Sequence, residues 1–169
     1  ENCRNYSIIG ETAVQLSGID EKIYTGYMRR GGSIANYNIH FYATEDEQAR
    51  KLSDLLREFK QQGYRPEEIT ILSFSAVRCA ANSQQMQEYN IRPAWQQGRF
   101  THYCTVHAFK GLENKIIILT DVSPGEAEFH RDLFYTGMTR ATESVRVLCN
   151  IRCQETLLRW LIKGGLTYV

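Results

Sequence analysis

No stretch of this sequence approaches the roughly 20 consecutive apolar residues that a membrane-spanning helix needs, and no signal-peptide pattern is visible. An excess of one charge is lacking too. Twenty Lys and Arg against 19 Asp and Glu leave a net charge of +1. That removes the basic footprint of a whole-surface nucleic-acid binder and leaves room only for local patches. The five cysteines (Cys3, Cys79, Cys104, Cys149 and Cys153) are odd in number and scattered, with no CxxC pair. A zinc site is therefore not expected. The pattern fits a reduced, cytoplasmic protein whose cysteines act as small apolar residues. The phosphate-cradling loop GxxxxGK[ST] is absent, and no strand ends in the paired carboxylates of a magnesium site. A chain with these absences can supply at most half of a nucleotide site. Together with a start at Glu1 rather than Met, this reads as part of a longer protein.

What is present, over 169 residues, is enough for one domain with a sizeable core. Ile8, Ile9, Thr12, Ala13 and Leu16 recur at helical spacing and predict a helix over residues 6–17, with Arg4 just before it. Residues 19–36 are broken by Gly26, Gly31 and Gly32, and Arg29-Arg30-Gly31-Gly32 reads as a solvated basic turn. Residues 38–42 alternate as a strand. Thr44 followed by Glu47 matches a capping box, and Ala49, Leu52, Leu55, Leu56 and Phe59 form one face of the helix that follows. Residues 69–74 are a strand. This strand–helix–strand order with short links predicts an α/β domain with a mostly parallel sheet flanked by helices.

Further along, a short helix is expected near residues 83–89 and extended chain after Ile91. Trp95 and Phe100 have two readings, core anchors or stacking platforms for bases, and anchors are the expectation. Residues 102–106 and 116–119 are strands, the second a continuous apolar run of the kind buried on both faces. A helix is predicted over 126–143, with Phe134, Met138 and Ala141 on one face and Gly137 inside it for close packing or a site. A strand over 145–149 and a helix over 154–163 close the chain. No repeat, low-complexity tract or linker interrupts it.

Three polar clusters stand next to these core elements: Asn2–Asn5, Thr105–Glu113 and Tyr135–Ala141. Arg4 and Arg140 can donate forked hydrogen bonds to phosphate. Glu113 can accept from sugar hydroxyls, and Thr105, His107 and Lys110 suit a nucleic-acid phosphate. Each also has a plain structural reading: a core histidine at His107, a solvated charge at Lys110, half of an ion pair at Arg140. The expected place for a ligand is the crevice at the loop end of the strands.

Thr105-Val106-His107-Ala108-Phe109-Lys110-Gly111-Leu112-Glu113 resembles motif V of the UvrD/Rep-type superfamily 1 DNA helicases. Tyr135-Thr136-Gly137-Met138-Thr139-Arg140-Ala141 resembles motif VI, and Asn2-Cys3-Arg4-Asn5 resembles motif IV. Order and spacing agree, so the resemblance spans about residues 1–150. It implies the second, C-terminal RecA-like domain of an ATP-dependent helicase, a P-loop NTPase-type sheet without the P-loop itself. It further implies that Arg4 and Arg140 reach the γ-phosphate, that Gly111 and Glu113 lie at the ribose, and that Thr105 and His107, with Lys110 nearby, meet single-stranded DNA. The implied cofactors are ATP and Mg2+ in the full-length protein, with none bound by this chain alone. The implied partners are an N-terminal RecA-like domain of the same polypeptide and single-stranded DNA. The sequence departs from the family in having only about residues 18–66 where large members carry a strand-separating insert, which argues against processive unwinding. It departs again at Ala108-Phe109 and at Asn114, where an aromatic often follows the glutamate. The competing reading is a degenerate RecA-like module that binds nucleic acid or protein without ATPase activity. A self-contained α/β phosphate enzyme is disfavoured, because no acid–base pair or nucleophile set accompanies the clusters.

Overall fold

A strand that is apolar at every position must be covered on both faces, and residues 116–119 are covered in this way. The computed structural model of the protein describes residues 2–17, 27–29, 36–124 and 131–165, with side chains for 5–17, 36–124 and 131–160. Among these, β3 (Tyr37–Tyr42), β4 (Ile69–Ser73), β5 (Ile91–Pro93), β6 (Thr101–Thr105), β7 (Asn114–Val122) and β8 (Ala141–Asn150) form one sheet in the order β3-β8-β7-β4-β6-β5. Every pairing in it is parallel. A separate parallel pair joins β1 (Asn2–Tyr6) to β2 (Tyr27–Arg29).

Successive strand residues point to opposite faces, and the core divides accordingly. Ile117, Leu119, Val145, Val147 and Cys149 face one layer, built from α1 (Ser7–Ser17), α3 (Arg131–Met138) and α4 (Gln154–Gly165). Ile116, Ile118, Ile71 and Leu148 face the other layer, built from α2 (Glu45–Gln61). Thr44 caps α2, its hydroxyl accepting from Glu47 N at 3.2 Å. The Glu47 carboxylate accepts from Ala43 N at 2.8 Å, one residue before the amide that an ordinary capping box uses.

Three expectations change. Residues 83–89 do not form an α-helix. Two 3-10 turns, Ala80–Asn82 and Gln84–Met86, stand there, separated by Ser83 in an extended conformation. Only Met86 in the second turn is buried, too little apolar surface to hold a longer helix against the sheet. The helix predicted over 126–143 ends at Met138, and residues 126–130 lie outside the described residues. Thr139 Oγ1 donates back to Tyr135 O at 2.7 Å, Arg140 N donates to Gly137 O at 3.2 Å, and the chain turns directly into β8. That strand begins four residues earlier than its apolar run suggested, because β7 supplies the pairing. Trp95 is not a core anchor: it is 81% exposed.

Gly137 is present for packing, since a Cβ there would stand 2.8 Å from Leu119 Cδ2 in the core. Cys104, Cys149 and Cys153 are buried, Cys79 is half-buried, and all four are free thiols. Burial pushes the Cys79 and Cys104 thiols up to about 11, as for inert small apolar residues. No helix among the described residues is long and apolar enough to cross a membrane. Of the expected basic turn, Arg29 ends β2 instead, and residues 30–32 lie outside the described residues, as does the Cys3 side chain.

Candidate functional site

Asn5, the Leu112–Glu113 end of the second cluster and Arg140, far apart in sequence, meet at the amino ends of β7 and β8. Asn5, the last residue but one of β1, is almost fully buried. Its Nδ2 donates to Thr139 O at 3.1 Å and to Ala141 O, the carbonyls on either side of Arg140. From the opposite side Asn114 N, the first amide of β7, donates to Arg140 O at 3.0 Å. The Arg140 side chain is steered by the helix before it, α3, Nε donating to Thr136 O at 3.0 Å, while Nη1 lies 3.5 Å from Leu112 O. The turn that carries Arg140 is therefore fixed by Asn5, from the first cluster, and by Asn114, the residue that directly follows the second. Arg4 immediately precedes Asn5 in β1, and its side chain lies outside the described residues.

Glu113 is exposed at the same edge, one residue before β7. Gly111 adopts φ +87°, the left-handed region that favours glycine, and nothing lies within 4 Å of where a Cβ would be. Its glycine is required by the turn itself. Asn114, where the resembled family often has an aromatic, is a tie. Its Nδ2 donates to Glu67 O and Thr70 Oγ1, both at 3.0 Å, which joins the start of β7 to the start of β4.

Thr105 lies at the other end of the sheet. It pairs with Ser73, which pairs with Thr120, six residues beyond Asn114 along β7. At a rise of 3.3 Å per residue the two ends are about 20 Å apart. Residues 106–113 cross that distance. Val106 N donates to Ser73 O at 3.1 Å, Thr105 Oγ1 accepts from Ala108 N at 3.3 Å, and Val106 and Phe109 are buried in the first core layer. Phe109, a departure from the family pattern, is thus the anchor of the crossing. His107 and Lys110 face solvent, so the core-histidine reading of His107 does not hold. Of the named residues only Thr105 stands at a carboxyl end of a strand. Gly111, Glu113 and Arg140 occupy the amino ends, opposite the crevice that the parallel sheet led us to expect.

One cluster was not legible in the sequence. Asp121, at the carboxyl end of β7, is buried with φ +65°, unusual for a residue other than glycine. Its carboxylate accepts from Ser73 Oγ at 2.7 Å, Thr120 Oγ1 at 2.6 Å, Gln48 Nε2 at 3.1 Å and Ala80 N at 3.2 Å. It organises the loop ends of β4 and β7 around a cleft of about 490 Å³. The only sequence signal was an acid two residues after an apolar run. Among the described residues, no group of three or more His, Cys, Asp or Glu is placed to hold a metal ion.

Comparison with known proteins points in one direction. The UvrD-like helicase C-terminal domain model matches residues 101–148, a span that holds both the Thr105–Glu113 and Tyr135–Ala141 segments. No curated protein matches the sequence. Among solved structures, the C-terminal domain of a possible DNA helicase from Lactobacillus plantarum WCFS1 superposes with a TM-score of 0.65 at 14% identity, covering 89% of this chain and 88% of that one. At that identity the match establishes the fold. The chain thus carries the sequence signature of UvrD-like helicase C-terminal domains on a RecA-like, all-parallel α/β fold.

Proposed function

We propose that this chain is the second motor domain of an ATP-dependent superfamily 1 DNA helicase or translocase. It would complete an ATP site whose phosphate-cradling half belongs to an N-terminal RecA-like domain of the same polypeptide. The observation that carries the reading is the fixing of the Arg140 turn by Asn5, from the first cluster, and by Asn114, directly after the second. A solvated surface arginine has no need of such a scaffold, whereas an arginine that must meet a phosphoryl group does.

The residues at this edge fit the charged and hydroxylated parts of ATP. Arg140, with Arg4 beside Asn5 in sequence, would donate to the γ-phosphate. Glu113 would accept from the ribose, with Gly111 shaping the approach. ATP supplies the transferable phosphoryl group, and the arginines would stabilise the charge that develops on it. In this reading the ligands of Mg2+ belong to the N-terminal domain. Thr105, His107 and Lys110 would meet single-stranded DNA at the other end of the same segment. A shift at the nucleotide edge would then be passed along residues 106–113 to the DNA.

The deciding measurement is DNA-stimulated ATPase of the full-length protein, wild type beside Arg140→Ala. The expected result is a fall of about a thousandfold or more with the fold intact. Unchanged turnover would make Arg140 a structural residue. DNA binding without any ATPase in the wild type would leave the binding module as the answer.

A further inference from the structure

We propose that Trp95 is a base-stacking platform for single-stranded nucleic acid, continuing the path that starts at Thr105 and His107; this rests on the nucleic-acid reading above. Five large apolar residues are strongly exposed among the described ones, and Trp95, at 81%, is the only aromatic among them. A stacking platform needs three things: a free π-face, a fixed backbone, and cations without competing carboxylates nearby.

The first is given by exposure. For the second, the backbone on both sides of the indole is held. Ala94 N donates to Tyr103 O and Gln96 N donates to Pro93 O, both at 2.9 Å, and His102 Nε2–H donates to Gln96 O at 2.9 Å. The remainder of the loop packs on itself. Gly98, at φ +142°, leaves no room for a Cβ against the Phe100 ring, and the Arg92 guanidinium lies 5.6 Å from that ring's centroid. Phe100 thus anchors the loop and Trp95 is presented outward by it.

For the third, the sequence from Tyr89 to Leu112 contains Arg92, Arg99 and Lys110, together with His102 and His107, and no Asp or Glu. In a chain that is nearly neutral overall, this is a stretch of net positive charge. Position completes the case. Pro93, the last residue of β5, pairs with Tyr103, two residues before the end of β6 at Thr105, so the turn that carries Trp95 leaves the sheet at the same carboxyl edge as Thr105, one strand away. Adjacent strands are about 4.8 Å apart. A strand of nucleic acid whose phosphate meets Thr105 and His107 therefore passes within reach of the indole. Stacking reads no base edge, so the ligand is single-stranded and its sequence is immaterial.

The test uses the full-length protein and a fluorescein-labelled oligo(dT), read by anisotropy across a salt series. Trp95→Ala should weaken binding by about 5- to 150-fold, the range of one base–aromatic stack, with the melting temperature and the salt slope unchanged. Trp95→Phe should recover part of the loss. Arg99→Gln should instead reduce the salt slope by about one. Binding by the wild type with equal affinity in Trp95→Ala would overturn the stacking role while leaving the nucleic-acid reading intact. A fall in the salt slope in Trp95→Ala would overturn it too, by showing that the loss lies in phosphate contacts. Absence of any binding by the wild type would overturn both.

Discussion

An amide at position 5 can donate two hydrogen bonds, and a carboxylate can donate none. The Asn5 side chain faces two carbonyl oxygens, those of Thr139 and Ala141. Asn5→Ala should cost about 1–3 kcal/mol in urea unfolding, since it leaves buried acceptors without their donor. Asn5→Asp has nearly the same shape and should cost more, about 3 kcal/mol or above at pH 7, because it buries an unpaired charge against those oxygens. The sign of its pH dependence follows. Burial and the carbonyls raise the folded-state pKa of this acid above its unfolded value, so part of the lost stability should return as the pH is lowered and the group is protonated. Both variants should also lower ATPase in the full-length protein, because the turn they loosen carries Arg140.

At the scale of single elements, β3 offers a second titration. His40 Nε2 is buried without a hydrogen-bond partner. Burial, together with the Arg146 and Lys51 charges, holds its pKa below the ordinary histidine value, with Glu58 opposing. A histidine that resists protonation only in the folded state costs nothing above its unfolded pKa, near 6.5. It destabilises the fold progressively as the pH falls below that value. Thermal melts from pH 7.5 to 5 should show this slope in the wild type, and His40→Leu should flatten it.

The elements also show what could be read in advance. The helix α2 was legible because its apolar face and its capping threonine are local signals, and β7 was legible because a continuous apolar run has few other uses. The end of α3 was not. Phe134, Met138 and Ala141 keep helical spacing across the boundary, and what stops the helix there includes Asn5, 134 residues from Thr139. The turns at residues 80–86 were hidden for the same reason, since Asp121 reaches Ala80 N only in the folded chain. The candidate residues could be named from the sequence, yet their division between two ends of the sheet could not. It depends on a register that only the neighbouring strands define.

For the molecule as a whole, residues 106–113 are the link between the ends. A crossing pinned by one buried aromatic can be loosened without touching either end. Phe109→Leu should therefore leave basal ATPase of the full-length protein close to wild type and reduce its stimulation by DNA. Equal stimulation in the variant would mean that the ends communicate through another route.

The clamp on Arg140 also has a consequence for biosynthesis. Asn5 is made 134 residues before the carbonyl it holds at Thr139. At about 5–20 residues per second, roughly 7–27 s pass on the ribosome before the two can meet. Edge strand β3 waits as well, since β8, its pairing partner within the sheet, follows β4 to β7 in the chain. The nascent chain therefore spends that interval with strand edges open and a half-built sheet to protect. The arginine turn takes its final form only when β1 and the start of β8 come together.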